Sequence, residues 1–269
     1  MKKPIVPEAY LLDIEGVLVR DKRYEPVPGA PEWLAAIRRL GRPFCLVSNN
    51  TTQRPVDLVA DLVAAGFAVT SEQLVTALEL GVQWLRDRGH RRLLWLGRKQ
   101  LRDFWHEEGF RTVAQGQVDA VVLGANSELT VAELNAALTP LREGGADLVC
   151  LHRNPFFLDG EGLPRLGPGA WAAALETVVA AGSVVTIGKP EPLIYRAALN
   201  RLGVAVDKTL FISDDPIADL VTAGRLGMGT ALVLSGKYDD TGVLGRLAEA
   251  DWPDQICASC IDLQPEATV

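Results

Sequence analysis

The sequence lacks any apolar run as long as the ~18 residues that a membrane-spanning helix needs. It also lacks a block of Lys and Arg, and its formal net charge is −7, which favours neither nucleic acid nor an anionic membrane as a partner. The segment after Met1 is also a poor match to an export signal, because Pro4, Pro7 and Glu8 interrupt it. We therefore expect a cytoplasmic protein that binds neither nucleic acid nor membrane.

Cysteine is scarce, with four residues in 269. Cys45 and Cys150 lie in apolar, strand-like runs, which is typical of buried core thiols. Cys257 and Cys260 form a CxxC pair, but no second metal-ligand pair accompanies it and no N-terminal βαβ unit surrounds it. Packing of the last element is therefore the favoured explanation of this pair, over zinc binding or redox chemistry.

Short apolar runs that are typical of strands alternate with helical stretches over almost the whole chain. This alternation predicts an α/β protein with parallel sheets that are covered on both faces. The length of 269 residues favours two domains, since a domain has about 150 residues. Four predicted strands precede polar residues, at 9–14, 43–47, 184–187 and 209–212.

The stretch between the second and third of these strands has the same alternating character. Its pattern predicts strands at 93–96, 120–123 and 147–151, with helices between and after them that include 131–142 and 170–181. A loop rich in Gly and Pro is predicted from His152 to Gly169.

Polar residues follow the first two of the four strands, at their predicted carboxyl ends. Asp13 and Glu15 alternate at the first end, and the period of a strand places both on one side. Ser48, Asn49 and Asn50 follow the second strand, where hydroxyls and amides near a helix start can cradle phosphate oxygens. Because ligands of open α/β sheets bind outside these ends, both clusters are candidate binding positions.

The other two ends carry a cation and further carboxylates. Lys189 follows the third strand, and Asp214 and Asp219 follow the fourth. Each motif alone has an ordinary interpretation as a turn or as the acidic start of a helix. Four such motifs in this order, each after a strand, are hard to explain in that way. Carboxylates suit Mg²⁺, while Lys and Ser can orient a phosphate, so the set predicts phosphoryl transfer through an aspartyl-phosphate.

These motifs resemble those of the haloacid dehalogenase (HAD) superfamily, in the same order along the chain. The strings VPGAPEWLAAIRRLG, VSNNT, GKPEPLIYRAALNRLGV and LVLSGK carry the resemblance over nearly the whole chain. Within this superfamily, the chain is most similar to the NagD-like phosphatases of subfamily IIA. The loop HRNPFFLDGEGLPRLGPGAW is closer to the branch of phospholysine phosphohistidine inorganic pyrophosphate phosphatase than to the nucleotidase branch.

The resemblance implies a domain organisation as well as a fold. A Rossmann-like HAD core with a parallel sheet is expected from residues 1–75 and 184–269, with Asp13 on its central strand. An α/β cap domain that sets substrate specificity is expected from residues 76–183. Caps of this family often mediate dimers, so a homodimer through the cap stays open beside a monomer.

The resemblance further implies a Mg²⁺ cofactor and a role for each motif residue. Asp13 is expected to attack phosphorus and to bind the metal, together with the backbone carbonyl of Glu15 and the carboxylate of Asp214. Asp219 is expected to bind or support the metal. Lys189 is expected to pair with Asp13 and the phosphate.

Substrate contacts are implied for a further set of residues. The phosphoryl group and the rest of a small phosphorylated metabolite are expected to meet Ser48, Asn49, Asn50, Lys189, His152, Arg153 and Asn154. For His152, a turn residue that caps the strand end is an equally good interpretation.

The first motif departs from the family pattern at Glu15, where the family has Asp as the proton donor and later the base. Glu carries the same acid on an arm that is one methylene longer, so it can misplace the proton. Asp215 and Ala218 also stand where the family has Arg and Thr. Three functions stay open: a phosphomonoesterase, a catalytically weak protein that binds phosphate and metal, and a phosphotransferase or pyrophosphatase.

Overall fold

The computed structural model describes residues 6–20, 23–158, 163–179 and 184–263. Within these residues the strands, in chain order, are β1 (Ala9–Leu12), β2 (Phe44–Ser48), β3 (Leu74–Thr76), β4 (Arg92–Leu96), β5 (Arg111–Val113), β6 (Ala120–Leu123), β7 (Asp147–Cys150), β8 (Phe156–Leu158), β9 (Pro164–Leu166), β10 (Val184–Thr186), β11 (Thr209–Ser213), β12 (Gly229–Val233) and β13 (Gln255–Cys257). The α-helices are α1 (Ala30–Arg39), α2 (Pro55–Ala64), α3 (Ala77–Asp87), α4 (Arg102–Glu107), α5 (Val131–Ala136), α6 (Leu138–Arg142), α7 (Pro168–Glu176), α8 (Pro192–Leu202) and α9 (Val221–Arg225). A π-helix spans Pro216–Leu220, and 3₁₀ turns span Ser71–Gln73, Lys99–Leu101, Val206–Lys208, Gly242–Arg246, Glu249–Asp251 and Cys260–Asp262.

The chain divides into two compact units. The first unit comprises Met1–Ser48, Val56–Val75 and Pro190–Val269, and the second comprises Asn49–Pro55 and Thr76–Lys189. The resemblance implied that residues 49–55 and the strand near residue 184 belong to the core, but both lie in the second unit. In the structure β10 pairs in parallel with β7 of the second unit, with Val184 opposite Leu148. A short β-branched run does not reveal which sheet accepts it, because the pairing is decided by tertiary contacts.

The first unit contains a six-stranded sheet in the order β13-β12-β11-β1-β2-β3. Strand β1 lies in its interior and pairs in parallel with β11 on one side and β2 on the other. All four residues of β1 are buried, as expected for a strand covered on both faces. One face packs on a core that includes Trp33, Ile37 and Leu58 from α1 and α2. The predicted α/β fold with a parallel sheet is thereby confirmed.

The second unit has its own five-stranded sheet, in the order β10-β7-β6-β4-β5, and all its pairs are parallel. Its core is formed by residues such as Leu123, Leu148 and Leu175. The segment 152–169, predicted as a loop, instead contains the antiparallel hairpin β8–β9. Its strands have three residues each, too short for a periodic signal. Residues 159–162 of this predicted loop lie outside the described residues.

Several helix boundaries also differ from the sequence pattern. The helix predicted at 131–142 is divided at Ala137, because Pro140 has no N–H to donate to the carbonyl of Ala136. The helix predicted at 170–181 begins at Pro168, a residue suited to the first turn, and already ends at Glu176, so its predicted end is too late; residues 180–181 lie outside the described residues. In the described part of the chain, no helix combines the length and apolar character that crossing a membrane would require.

Candidate active site

Asp13 lies directly after β1, at the carboxyl end of an interior strand. Its amide donates to the carbonyl of Ile212 at 3.0 Å, which continues the ladder between β1 and β11. Its carboxylate accepts a hydrogen bond from the amide of Ile14 at 2.9 Å through Oδ1. Only 8% of Asp13 is exposed, so a carboxylate is held almost buried at the sheet edge. A nearly buried carboxylate at a strand end is a candidate for cation binding or chemistry.

Glu15 is half-buried in the loop that follows. The loop is fixed by its backbone, since the amide of Gly16 donates to the carbonyl of Val19 at 2.7 Å and Gly16 has a φ of 78°. Among the residues that the structure describes, the carboxylate of Glu15 makes no hydrogen bond or ion pair. The carboxyl group of Glu15 therefore has no structural partner among these residues.

Asp214 follows β11, the neighbour of β1, and is also only 8% exposed. Its Oδ2 accepts from the backbone amide of Lys237 at 2.7 Å. Because the carboxyl ends of parallel neighbours lie at the same sheet edge, Asp13 and Asp214 occupy adjacent strand ends. The sequence placed both residues correctly at these ends.

Asp219 lies in the π-helix Pro216–Leu220, which follows β11, and is 2% exposed. Its Oδ2 accepts from the hydroxyl of Ser213 at 2.6 Å, and Ser213 Oγ accepts from the amide of Asp215 at 3.1 Å. The hydroxyl of Tyr195 donates to the backbone carbonyl of Asp219 at 3.1 Å. Burial raises the pKa of Tyr195, and the charge of Asp219 adds to the effect, so this hydroxyl stays a donor.

The donor set of the first unit suits Mg²⁺. This ion takes oxygen ligands and commonly uses one or two carboxylates together with water and substrate phosphate. Asp13 and Asp214 supply two nearly buried carboxylates at adjacent strand ends. Among the described residues, no group of three or more His, Cys, Asp or Glu side chains forms a complete metal cage. An ion held by these two carboxylates would take its other ligands from backbone oxygens, water or substrate.

Ser48 is the last residue of β2 and is fully buried. Leu12 pairs with Leu46, so Ser48 lies one residue beyond the level of Asp13 on the neighbouring strand. This position follows from the sequence pattern.

Asn49 and Lys189 meet within the second unit. The side-chain Oδ1 of Asn49 accepts from the amide of Lys189 at 2.8 Å, and its Nδ2 donates to the carbonyl of Lys189 at 3.0 Å. A Cβ at Gly188 would lie 2.7 Å from the backbone oxygen of Leu151, as well as 2.3 Å from this Oδ1, so the neighbour of Lys189 must be glycine. Lys189 is 3% exposed. The side chain of Asn49 thus fixes the backbone of Lys189.

The remaining substrate-contact candidates make local contacts in the second unit. Asn50 closes a turn, because its Oδ1 accepts from the amide and hydroxyl of Thr52. His152 is 4% exposed, and its Nε2 lies 3.4 Å from Thr51 Oγ1. The structure leaves the turn and binding interpretations of His152 untested.

Arg153 and Asn154 also have structural partners. The guanidinium of Arg153 donates to Thr186 Oγ1 at 2.9 Å and pairs with Glu176. This hydrogen bond holds the pKa of Glu176 below its ordinary value. The carbonyl of Asn154 accepts from the amide of Gly169 at 3.1 Å. The guanidinium of Arg153 is therefore ion-paired with Glu176.

Three residues that the motif search missed lie at another strand end, after β12. Ser235, Gly236 and Lys237 each contact the loops of the first or fourth motif. The string LVLSGK contains them, and its position after a strand is the signal that could have found them. The Cys257 and Cys260 thiols, in contrast, are not activated, because burial raises the pKa of both.

Residues 10–111 match the family described as haloacid dehalogenase-like hydrolase, and residues 186–263 match the HAD-hydrolase-like description. Chronophin from Homo sapiens is 30% identical over 258 residues, which cover 90% of this chain and 84% of chronophin. The chain belongs to the haloacid dehalogenase-like hydrolases. The family predicted from the four motifs is thereby confirmed.

Further HAD relatives indicate the type of enzyme. Dihydroxyacetone phosphatase from Corynebacterium glutamicum (strain R) is 29% identical over 234 residues, which cover 86% of this chain and 82% of that protein. NagD from E. coli K-12 superposes with a TM-score of 0.80 at 24% identity, covering 97% of this chain and 99% of NagD, which shows a shared fold. The chain is a HAD-type phosphohydrolase that shares its fold with NagD. Its branch within the NagD-like proteins stays a prediction.

Proposed function

We propose that this HAD protein is a Mg²⁺-dependent phosphatase that hydrolyses a small phosphorylated metabolite through an aspartyl-phosphate on Asp13. The observation that carries the proposal is the placement of Asp13 and Asp214. Both carboxylates are 8% exposed, and they follow strands that pair directly in the sheet. Two carboxylates at adjacent strand ends supply the kind of oxygen ligands that Mg²⁺ commonly takes from a protein, beside water and substrate phosphate.

The metal in this proposal would be held by the carboxylates of Asp13 and Asp214 and the backbone carbonyl of Glu15. When bound, Mg²⁺ would neutralise charge on the phosphoryl oxygens. Asp219 would act through Ser213, whose hydroxyl donates to it at 2.6 Å, and so would support the loop that carries Asp214.

The chemical steps would fall to Asp13 and Glu15. A carboxylate oxygen of Asp13 would attack phosphorus, while the bond from phosphorus to the leaving oxygen breaks and Glu15 gives that oxygen its proton. Glu15, now a carboxylate, would then take a proton from the water that attacks the aspartyl-phosphate, which releases phosphate and restores Asp13. The hydrogen bond from the amide of Ile14 orients the nucleophile, and the unengaged carboxyl of Glu15 is suited to proton transfer.

Lys189, Ser48 and Asn49 complete the proposed machinery. The ammonium of Lys189 would stabilise the charge that develops on the phosphoryl group, and the Ser48 hydroxyl and the backbone N–H of Asn49 would bind phosphoryl oxygens. The proposal for Lys189 is supported by the way its backbone is fixed, because Asn49 takes up both of its backbone hydrogen-bonding groups.

The substrate class rests on the relatives. Dihydroxyacetone phosphatase is named for a small phosphorylated metabolite, and we extend that class, though not that compound, to this chain. The specificity residues would come from the inserted segment, where His152, Arg153 and Asn154 remain candidates. A homodimer through this segment stays a prediction.

Hydrolysis of p-nitrophenyl phosphate and of a panel of phosphorylated metabolites, with Mg²⁺ and with EDTA, tests the proposal. We expect turnover that needs Mg²⁺ and one preferred class of small phosphomonoester. Full activity in EDTA would overturn the mechanism, and saturable phosphate binding without turnover would favour a catalytically weak binding protein. Product analysis with an added alcohol and with pyrophosphate distinguishes a phosphotransferase or pyrophosphatase from a phosphatase.

A further inference from the structure

The segment Ser235–Lys237, here called the 235–237 loop, follows β12 and contacts the loops of both the nucleophile and the second carboxylate. Ser235 Oγ donates to the carbonyl of Gly16 at 2.7 Å. The amide of Lys237 donates to Oδ2 of Asp214 at 2.7 Å. One short segment of the first unit is therefore bonded to the ends of β1 and β11 at the same time.

Gly236, in the middle of this loop, packs without space for a side chain. A Cβ there would lie 2.1 Å from Asp214 Oδ2 and 2.4 Å from the Cα of Gly16. A Cβ at Gly16 would likewise lie 2.0 Å from Asp214 Oδ2. Because one neighbour is backbone, no rotamer change could relieve the clash at Gly236. The two glycines let the carboxylate of Asp214 approach the nucleophile loop closely.

Lys237 makes a second contact through its side chain. Its Nζ lies 2.6 Å from Oδ2 of Asp215, while Oδ1 of Asp215 accepts from the amides of Ile217 and Ala218. Asp215 thus caps the π-helix that carries Asp219.

We propose that the 235–237 loop is the positioning element of the metal site, which sets the carboxylate of Asp214 against the loop of Asp13 and Glu15. The proposal rests on the proposed Mg²⁺ site. Ser235 fixes the nucleophile loop through the carbonyl of Gly16, and Lys237 fixes Asp214 through its amide and the π-helix through Asp215. None of these side chains touches the reacting atoms, so they act through Asp214 and Gly16.

The decisive variant is Gly236→Ala, with Gly245→Ala as its matched control. A Cβ at Gly245 would meet nothing within 4 Å, and its φ is not in the left-handed region. Isothermal titration of the full chain with Mg²⁺ alone measures the outcome. We expect Gly236→Ala to raise the Kd for Mg²⁺ about 10- to 100-fold, the usual effect of losing support around a metal ligand, and Gly245→Ala to leave it unchanged.

Two milder variants keep the test valid if Gly236→Ala does not fold. Ser235→Ala should raise the Kd for Mg²⁺ about 2- to 10-fold, the value of one neutral hydrogen bond, and Ser235→Thr should restore it. Lys237→Met should raise it about 2- to 5-fold, because an exposed ion pair contributes little. Lys208→Met is the matched control, since Lys208 forms an exposed pair with Glu8 at 2.9 Å.

The outcomes separate this inference from the proposed function. Raised Mg²⁺ Kd values with an unchanged melting temperature support the loop as a positioning element. Wild-type affinity in Gly236→Ala or, if that variant does not fold, in both Ser235→Ala and Lys237→Met overturns it, while the proposed function stands. A wild-type protein that neither binds Mg²⁺ nor needs it for turnover would overturn both.

Discussion

The side-chain amide of Asn49 hydrogen bonds to both backbone groups of Lys189, with distances of 2.8 Å to its nitrogen and 3.0 Å to its oxygen. An asparagine amide has one acceptor and two donors, so this pairing imitates the hydrogen bonds of a neighbouring strand. The two residues are 140 positions apart in the chain. The motif that contains Asn49 therefore also determines the backbone position of Lys189.

Asn49→Ala should lower kcat about 10- to 100-fold. Without this pairing the ammonium of Lys189, which is proposed to contact the phosphate, can shift, and a displacement of about 1 Å is enough for such a loss. Asn126→Ala is the control, since Asn126 also uses both ends of its amide, toward the carbonyl of Gly97 and the amide of Glu128. Both variants should lose similar stability in thermal unfolding. If Asn49→Ala keeps its kcat, the pairing with Lys189 has only a structural role.

Asp13→Asn should lose at least about 10³-fold in turnover, because an amide is a poor nucleophile. The fold should persist, since the amide oxygen of Asn can still accept from the backbone N–H of Ile14. Steady-state assays and thermal unfolding measure the two properties separately. Retained turnover in a folded Asp13→Asn protein would require a different nucleophile.

EDTA should abolish turnover, and excess Mg²⁺ should restore it. Asp214→Asn should weaken Mg²⁺ binding at least about tenfold, because it removes one anionic oxygen ligand, while the Lys237 amide keeps an acceptor. Asp254→Asn is a suitable control, since Asp254 also accepts from a backbone amide, that of Thr230 at 2.9 Å. Equal Mg²⁺ affinity in the two variants would remove Asp214 from the proposed metal site.

Glu15→Asp should increase kcat about tenfold. A well-placed acid and base accelerates the reaction by about 10²–10⁴-fold, and the longer side chain of Glu loses part of this acceleration by misplacing the proton. The backbone around residue 15 is fixed by the bond between Gly16 and Val19, so the extra methylene has to be absorbed by the side chain. Glu also has more rotamer freedom to lose when it is held in place.

Pre-steady-state and steady-state assays with one substrate and fixed Mg²⁺ compare the two forms. Glu15→Gln, which has the same length and no proton to give, should instead lose about 10²–10⁴-fold. A kcat of Glu15→Asp equal to or below that of the wild type would mean that the loop is fitted to Glu15.

The positions of Asp13, Ser48 and Asp214 could be predicted from the sequence because each comes at the end of a fully buried strand. Such strands give continuous apolar runs, and a polar residue at their end stands out. Their proposed roles are still predictions, because position alone does not identify chemistry. The confirmed family supports those roles.

Other features could not be predicted because their cause lies far away in the chain. The run at residues 184–187 was assigned to the core, but β10 pairs with β7 and not with the first-unit sheet. The hairpin β8–β9 has too few residues for a periodic pattern. The contact between Ser235 and Gly16 joins residues that are 219 positions apart. Local sequence describes a strand and its end but does not specify which distant backbone atoms it meets.

The second unit is built from two separate segments of the chain, which limits how this protein can be recombined with its relatives. A chimera with junctions at 76 and 183 would leave β10 behind, and β7 would lose one of its two partners in the sheet. Exposed strand edges of this kind promote aggregation. Junctions after Val75 and Lys189 keep the sheet whole, but residues 49–55 belong to the same unit and must come from the same parent. A chimera that keeps this unit intact therefore has to take two separate segments, 49–55 and 76–189, from one parent.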